Sequence, residues 1–164
     1  MNFFYTFVTQ QRFIAFTSDH YVVSLKVTLI MDNSFTDSEL RLCQDFILNL
    51  AVNAGTMIHK GFYTEQKNIA EKASSHDLVT ETDSAVERFL ISEISDRFPT
   101  HRFIGEEATA EASKNDLFSH KLTDEPTWMI DPIDGTMNFV HTNPNVCISI
   151  GLIASKIVRN QNEC

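Results

Sequence analysis

The chain has 164 residues, a formal net charge of −9 and 43% hydrophobic residues. That is enough for one domain with a sizeable core, and it excludes a disordered chain. The acidic balance also excludes a nucleic-acid surface, which needs basic patches, so a small anionic substrate would have to be drawn in by bound cations.

In chain order, Met1 to Met31 is rich in Phe, Tyr, Val and Thr and carries only Arg12, Asp19 and Lys26 as charges. Thr9-Gln10-Gln11-Arg12 and Ser18-Asp19-His20 interrupt it, so no apolar run reaches the roughly eighteen residues of a membrane span, and it fits a signal peptide poorly. Residues 1–31 are taken as an N-terminal extension of uncertain order, with targeting as a minority alternative. Thr36-Asp37-Ser38-Glu39 has capping-box spacing, and Leu40, Cys43, Phe46, Ile47, Leu50, Ala54, Met57 and Ile58 recur at helical period until Gly61. A second helix is predicted from about Asp83 to Arg97, with Val86, Phe89, Leu90 and Ile94 on one face and Pro99 beyond its end. Strands are predicted at Arg102 to Gly105, Thr127 to Ile130 and Val146 to Ala154, with a polar loop or short helix from Ala108 to Glu125. Cys43, Cys147 and Cys164 form no CxxC and suit reduced thiols in the cytoplasm, the first two being expected in the core.

Trp128 to Phe139 is the run that carries chemistry. Asp131-Pro132 disfavours helix, so Asp131 is expected at a strand's end, and Pro132 and Gly135 then bracket a turn. Asp131, the Ile133 carbonyl and Asp134 can converge on a hard cation. Oxygen donors suit Mg²⁺ or Mn²⁺, whereas zinc would recruit His or Cys, which are absent between Trp128 and Val140. A helix starting near Thr136 would turn the N–H groups of Gly135, Thr136 and Met137 toward a phosphate. An ordinary surface turn would not need Trp128, Ile130, Ile133 and Phe139 interleaved with two carboxylates. Taken alone, Asp83 at a helix start reads as a cap, Glu106-Glu107 as a charged strand end, Lys72 as a solvated charge and His141 as structural.

The stretch Trp128 to His141 resembles the signature of the inositol monophosphatases, within the magnesium-dependent, lithium-sensitive phosphatases. Phe103-Ile104-Gly105-Glu106-Glu107 is similar to that family's Gly-Glu-Glu motif, and Asp77-Leu78-Val79-Thr80-Glu81-Thr82-Asp83 to its Asp-Leu-Val-Thr-x-x-Asp segment, with Lys72 at the position of a mobile-loop lysine. The resemblance runs from about Ser38 to Ala154, about the first half of such an enzyme. It implies an α/β fold, a layered α-β-α-β-α sandwich, here two long helices on a mainly antiparallel sheet. It also implies that Glu106 ligates Mg²⁺ and orients the attacking water, Asp131 bridges two metals, the Ile133 carbonyl completes the first and Asp134 binds the second. Thr136, paired with Asp83, would hold the water or a phosphate oxygen, and Gly135 and Thr136 would cradle the phosphate. The implied activity is hydrolysis of myo-inositol 1-phosphate and related monophosphates by a cytoplasmic homodimer that uses no nucleic acid and no membrane span.

Residues 32–154 then form the N-terminal half of the family-like domain, and 155–164 a divergent polar tail. The family's second half supplies a Trp-Asp motif for the second metal, whereas the single tryptophan here, Trp128, precedes Met129. A catalytically impaired form that partners a full-length subunit, and a nucleotide or sugar bisphosphate phosphatase, are the alternatives.

Overall fold

The computed structural model describes residues 8–18, 21–31, 36–64, 69–71, 78–105 and 122–154. In order these form β1 (Val8–Ser18), β2 (Tyr21–Met31), α1 (Asp37–Phe62), β3 (Ile69–Glu71), β4 (Leu78–Thr80), α2 (Glu81–Arg97), β5 (Arg102–Gly105), β6 (Thr127–Asp134), α3 (Thr136–Val140) and β7 (Cys147–Ala154). Lys72, Asp77, Glu106 and the tail 155–164 lie outside the described residues.

Thr36 caps α1 as its spacing predicts: its hydroxyl accepts from the Glu39 N–H, and the Glu39 carboxylate accepts from the Thr36 N–H at 2.8 Å. One stripe of the helix, Cys43, Ile47, Leu50, Ala51, Ala54, Ile58 and Phe62, is buried. The helix runs past Gly61, the expected stop. A Cβ at Gly61 would lie 2.3 Å from Thr82 Oγ1, so this glycine marks a close approach of α1 to the start of α2 rather than an end. α2 begins two residues before Asp83, its expected start, with Thr80 as its N-cap and Asp83 at the third helical position. Val86, Leu90 and Ile94 are buried beneath it, as their spacing predicts, with Phe89 packed at the edge.

The main sheet has the order β1-β2-β7-β6-β5. β1–β2 and β6–β7 pair antiparallel, β2–β7 and β5–β6 parallel, so the sheet is mixed where a mainly antiparallel one was expected. The Val- and Thr-rich segment before Met31, absent from the strand candidates, supplies two of its strands, as β-branched composition favours. α1 packs against α2 and β2, and α2 against β6, covering one face of the sheet. Strand alternation sorts β7 accordingly: Ile148, Ile150, Leu152 and Ala154 are buried, while Cys147, Ser149, Gly151 and Ile153 are partly exposed.

Trp128, fully buried, anchors β6 to this core, and its indole N–H donates to His101 Nδ1 at 2.9 Å. His101 also stacks on Phe98, with ring centroids 4.8 Å apart. Burial pushes the His101 imidazole below its ordinary range, and an Nδ1 that accepts a hydrogen bond must be unprotonated. The folded state therefore favours neutral His101. Its contribution is complete above the ordinary histidine value of about 6.5 and is lost as pH falls through the lowered folded value. The urea midpoint is expected to drop between pH 7.5 and 5.5, and His101→Gln should flatten that dependence. An equally steep loss in the variant would refute the assignment.

Candidate metal and phosphate site

β6 continues four residues beyond the run expected to be strand. Asp131 pairs with Ser149 and Asp134 with Cys147, and the register shifts between them, so three steps along β6 match two along β7. Asp131 is therefore followed by a bulge, not by the strand's end. Pro132, which has no N–H for a ladder, lies buried in that bulge, beyond the part of β6 that β5 flanks. The bulge sets Asp131, partly buried with its Oδ1 shielded from solvent, close in sequence to an exposed Asp134.

Gly135 then turns the chain with φ of 98°, and a Cβ there would lie 3.0 Å from the Asn145 carbonyl oxygen, a backbone atom with little freedom to retreat. Gly135→Ala is expected to cost about 1–2 kcal/mol from the left-handed conformation alone, measured by urea denaturation; an unchanged midpoint would contradict this geometry. α3 starts at Thr136 as expected, but it is five residues long. Its macrodipole is correspondingly weak, so any anion at this turn depends on individual N–H groups.

Asp83 joins the two motif regions. Its Oδ2 accepts from the Thr80 N–H at 3.0 Å and from the Thr80 hydroxyl, closing a capping box, while Oδ1 accepts from Thr136 Oγ1 at 3.2 Å, 53 residues away in sequence. Capping and pairing with Thr136 are thus both served, one by each oxygen. Burial pushes the Asp83 carboxyl above its ordinary range, and the hydrogen bonds from Thr80 and Thr136 offset this only in part. Thr136 Oγ1 also lies 3.1 Å from the Ile133 carbonyl oxygen. That carbonyl has two lone pairs, so accepting from Thr136 leaves one for a cation.

The structure thus links Asp83, Ile133 and Thr136 directly and sets Asp131 and Asp134 at the end of β6, with Gly135 in the turn that follows. Among the described residues no three His, Cys, Asp or Glu side chains gather as a metal cluster. The donors present are two carboxylates and one carbonyl, all oxygen, which fit a hard divalent cation whose shell other oxygen ligands would complete. Sequence reasoning missed Thr80, although Thr80-x-x-Asp83 is itself a capping-box spacing. It also assigned Cys147 to the core, whereas Cys147 is partly exposed and its thiol donates to Asp134 Oδ2 at 3.6 Å. His141 is the exposed C-cap of α3, as its structural role predicts.

The model of the inositol monophosphatase family matches residues 39–159, and the chain belongs to that family. It is 52% identical over 109 residues to inositol monophosphatase 2 of Rattus norvegicus, covering 66% of this chain and 36% of that protein. Against inositol monophosphatase 1 of Sus scrofa it is 48% identical over 114 residues, 70% of this chain and 39% of that one. Among solved structures, the Thermotoga maritima IMPase superposes with a TM-score of 0.56 at 33% identity, covering 67% of this chain and 39% of that chain. An IMPase/NADP phosphatase solved with NADP and Ca²⁺ superposes with a TM-score of 0.57 at 25% identity, over 72% and 42%. The chain spans about two fifths of the length of these relatives.

Proposed function

We propose that this chain carries the metal and phosphate half of a Mg²⁺-dependent phosphate monoester hydrolase acting on myo-inositol 1-phosphate and related inositol monophosphates. The observation that carries this reading is the hydrogen bond from Thr136 to Asp83, which brings two separate motif segments into one site. Asp131, the Ile133 carbonyl and Asp134, with Glu106 from the Gly-Glu-Glu segment, are the residues that would hold Mg²⁺. When bound, the cation supplies hydroxide from water at neutral pH and stabilises the leaving alkoxide.

The roles of the side chains follow from their protons. Thr136 has one hydroxyl proton, and both of its recorded partners, Asp83 Oδ1 and the Ile133 carbonyl, are acceptors. Toward a water the hydroxyl is therefore left to act through its lone pairs, so it orients an attacking water by accepting from it. Asp83, buried and tied to the start of α2, keeps that hydroxyl in place and offers a carboxylate toward which the proton can move. Gly135 allows the backbone to approach the phosphate, and Lys72 is the proposed cationic contact.

The unlinked Cys43 and Cys147 suit a reducing compartment such as the cytoplasm. No described helix is long and apolar enough to cross a membrane. A homodimer is the assembly the family resemblance suggests. The test is phosphate release from inositol 1-phosphate by the purified chain: release should rise with millimolar Mg²⁺ and fall with added Li⁺. No release under conditions where a full-length relative turns over would overturn the proposal for this chain.

A further inference from the structure

We propose that Cys147 is a positioning residue that fixes the orientation of the Asp134 carboxylate for cation binding. Asp134 is the last residue of β6, exposed and directly after the bulge, where a short carboxylate would otherwise sample several rotamers. β7 supplies the restraint. Cys147 is the residue that resumes the ladder opposite Asp134, so the two side chains are cross-strand neighbours. The thiol donates to Oδ2 at 3.6 Å, and among the described residues it is the one hydrogen-bond donor to that carboxylate.

A thiol is a weak donor and a carboxylate a strong acceptor, so the bond directs the carboxylate without withdrawing its charge. One oxygen is engaged by the thiol, and the other keeps its lone pairs for a hard cation. Asp83 likewise fixes the Thr136 hydroxyl, by accepting its hydrogen bond. Two side chains of the proposed site are thus braced by different elements, Thr136 by α2 and Asp134 by β7. Groups that hold a metal ligand by hydrogen bonding typically change metal affinity by about 10- to 100-fold when removed.

The inference rests on the phosphatase proposal for its cation, so one readout is taken without metal. In metal-free protein the S–H stretching band of Cys147, identified by its loss in Cys147→Ala, should lie below that of a thiol with no acceptor and should move up in Asp134→Asn. Mg²⁺ affinity by calorimetry should fall about 10-fold or more in Cys147→Ala and return to within about threefold of the parent in Cys147→Ser, which restores a donor. Circular dichroism and urea midpoints identify variants that have lost the fold. A band that is not lowered, or that ignores Asp134→Asn, overturns the inference whatever the protein does with Mg²⁺. So does an affinity unchanged in Cys147→Ala, or equally weak in the Ala and Ser variants. A lowered band in a protein that takes up no Mg²⁺ supports the thiol's hold on the carboxylate and overturns the phosphatase proposal instead.

Discussion

Asp131→Asn is expected to weaken Mg²⁺ binding by about 100-fold or more, roughly 2.8 kcal/mol at 1.4 kcal/mol per tenfold, while leaving the fold as stable as the parent or more so. The two halves of the result come from one atom. Asp131 Oδ1 is shielded from solvent on a bulged strand, where a full charge costs more to desolvate than a neutral amide of the same shape. An amide of nearly the same shape keeps the β6–β7 pairing and removes that cost, but it also removes the charge a divalent ion needs. Calorimetric titration paired with thermal melts decides the matter. If Asn binds Mg²⁺ as the parent does, Asp131 is no ligand; if it melts well below the parent, the carboxylate is there for structure.

Trp128→Ala should cost about 3–5 kcal/mol, the range for emptying a buried aromatic site. The indole is fully buried, lies 6.0 Å from the Phe98 ring and 6.1 Å from the His101 ring, and donates the hydrogen bond that holds His101. Truncation leaves a cavity under β6 and takes the donor from His101 Nδ1 together. Against a total stability of roughly 5–15 kcal/mol such a loss is a large fraction, and it would loosen the strand that carries Asp131 and Asp134. Trp128→Phe should lose much less, because most of the volume stays. Urea denaturation followed by far-UV circular dichroism measures both, and a loss below about 1 kcal/mol in the Ala variant would mean that the site is held from elsewhere.

What the sequence made legible was mostly local. Thr36 and Glu39 form a box because three-residue spacing is enough to define one, and the apolar stripe of α1 follows helical period. Trp128, Ile130, Ile133 and Phe139 are all buried, as their interleaving with carboxylates suggested. What escaped depended on partners distant in sequence. Gly61 looked like a helix stop because its contact, Thr82, lies on another helix. Asp131 looked like the end of a strand and Pro132 the start of a turn because nothing nearby in sequence shows a bulge opposite β7. Cys147 looked like core because its carboxylate partner is fixed by register, which a single strand does not reveal. The β1–β2 pair escaped because its polar residues, which exclude a membrane span, are compatible with two 11-residue strands whose partners a single segment does not show.

The parallel pairing of β2 with β7 bears on how the chain reaches this structure. β2 precedes α1, α2 and the whole of β6 in the chain, and its sheet neighbour β7 follows only after them. Contacts between such distant segments bear a large loop-closure entropy and form late, so refolding should be slow, and the edge of β2 stays open to other chains until β7 arrives. Because β7 also pairs with Asp131 and Asp134, the carboxylate pair acquires its geometry in that same late step. Competence for cation binding should therefore appear with the slowest refolding phase, after helix content has already returned.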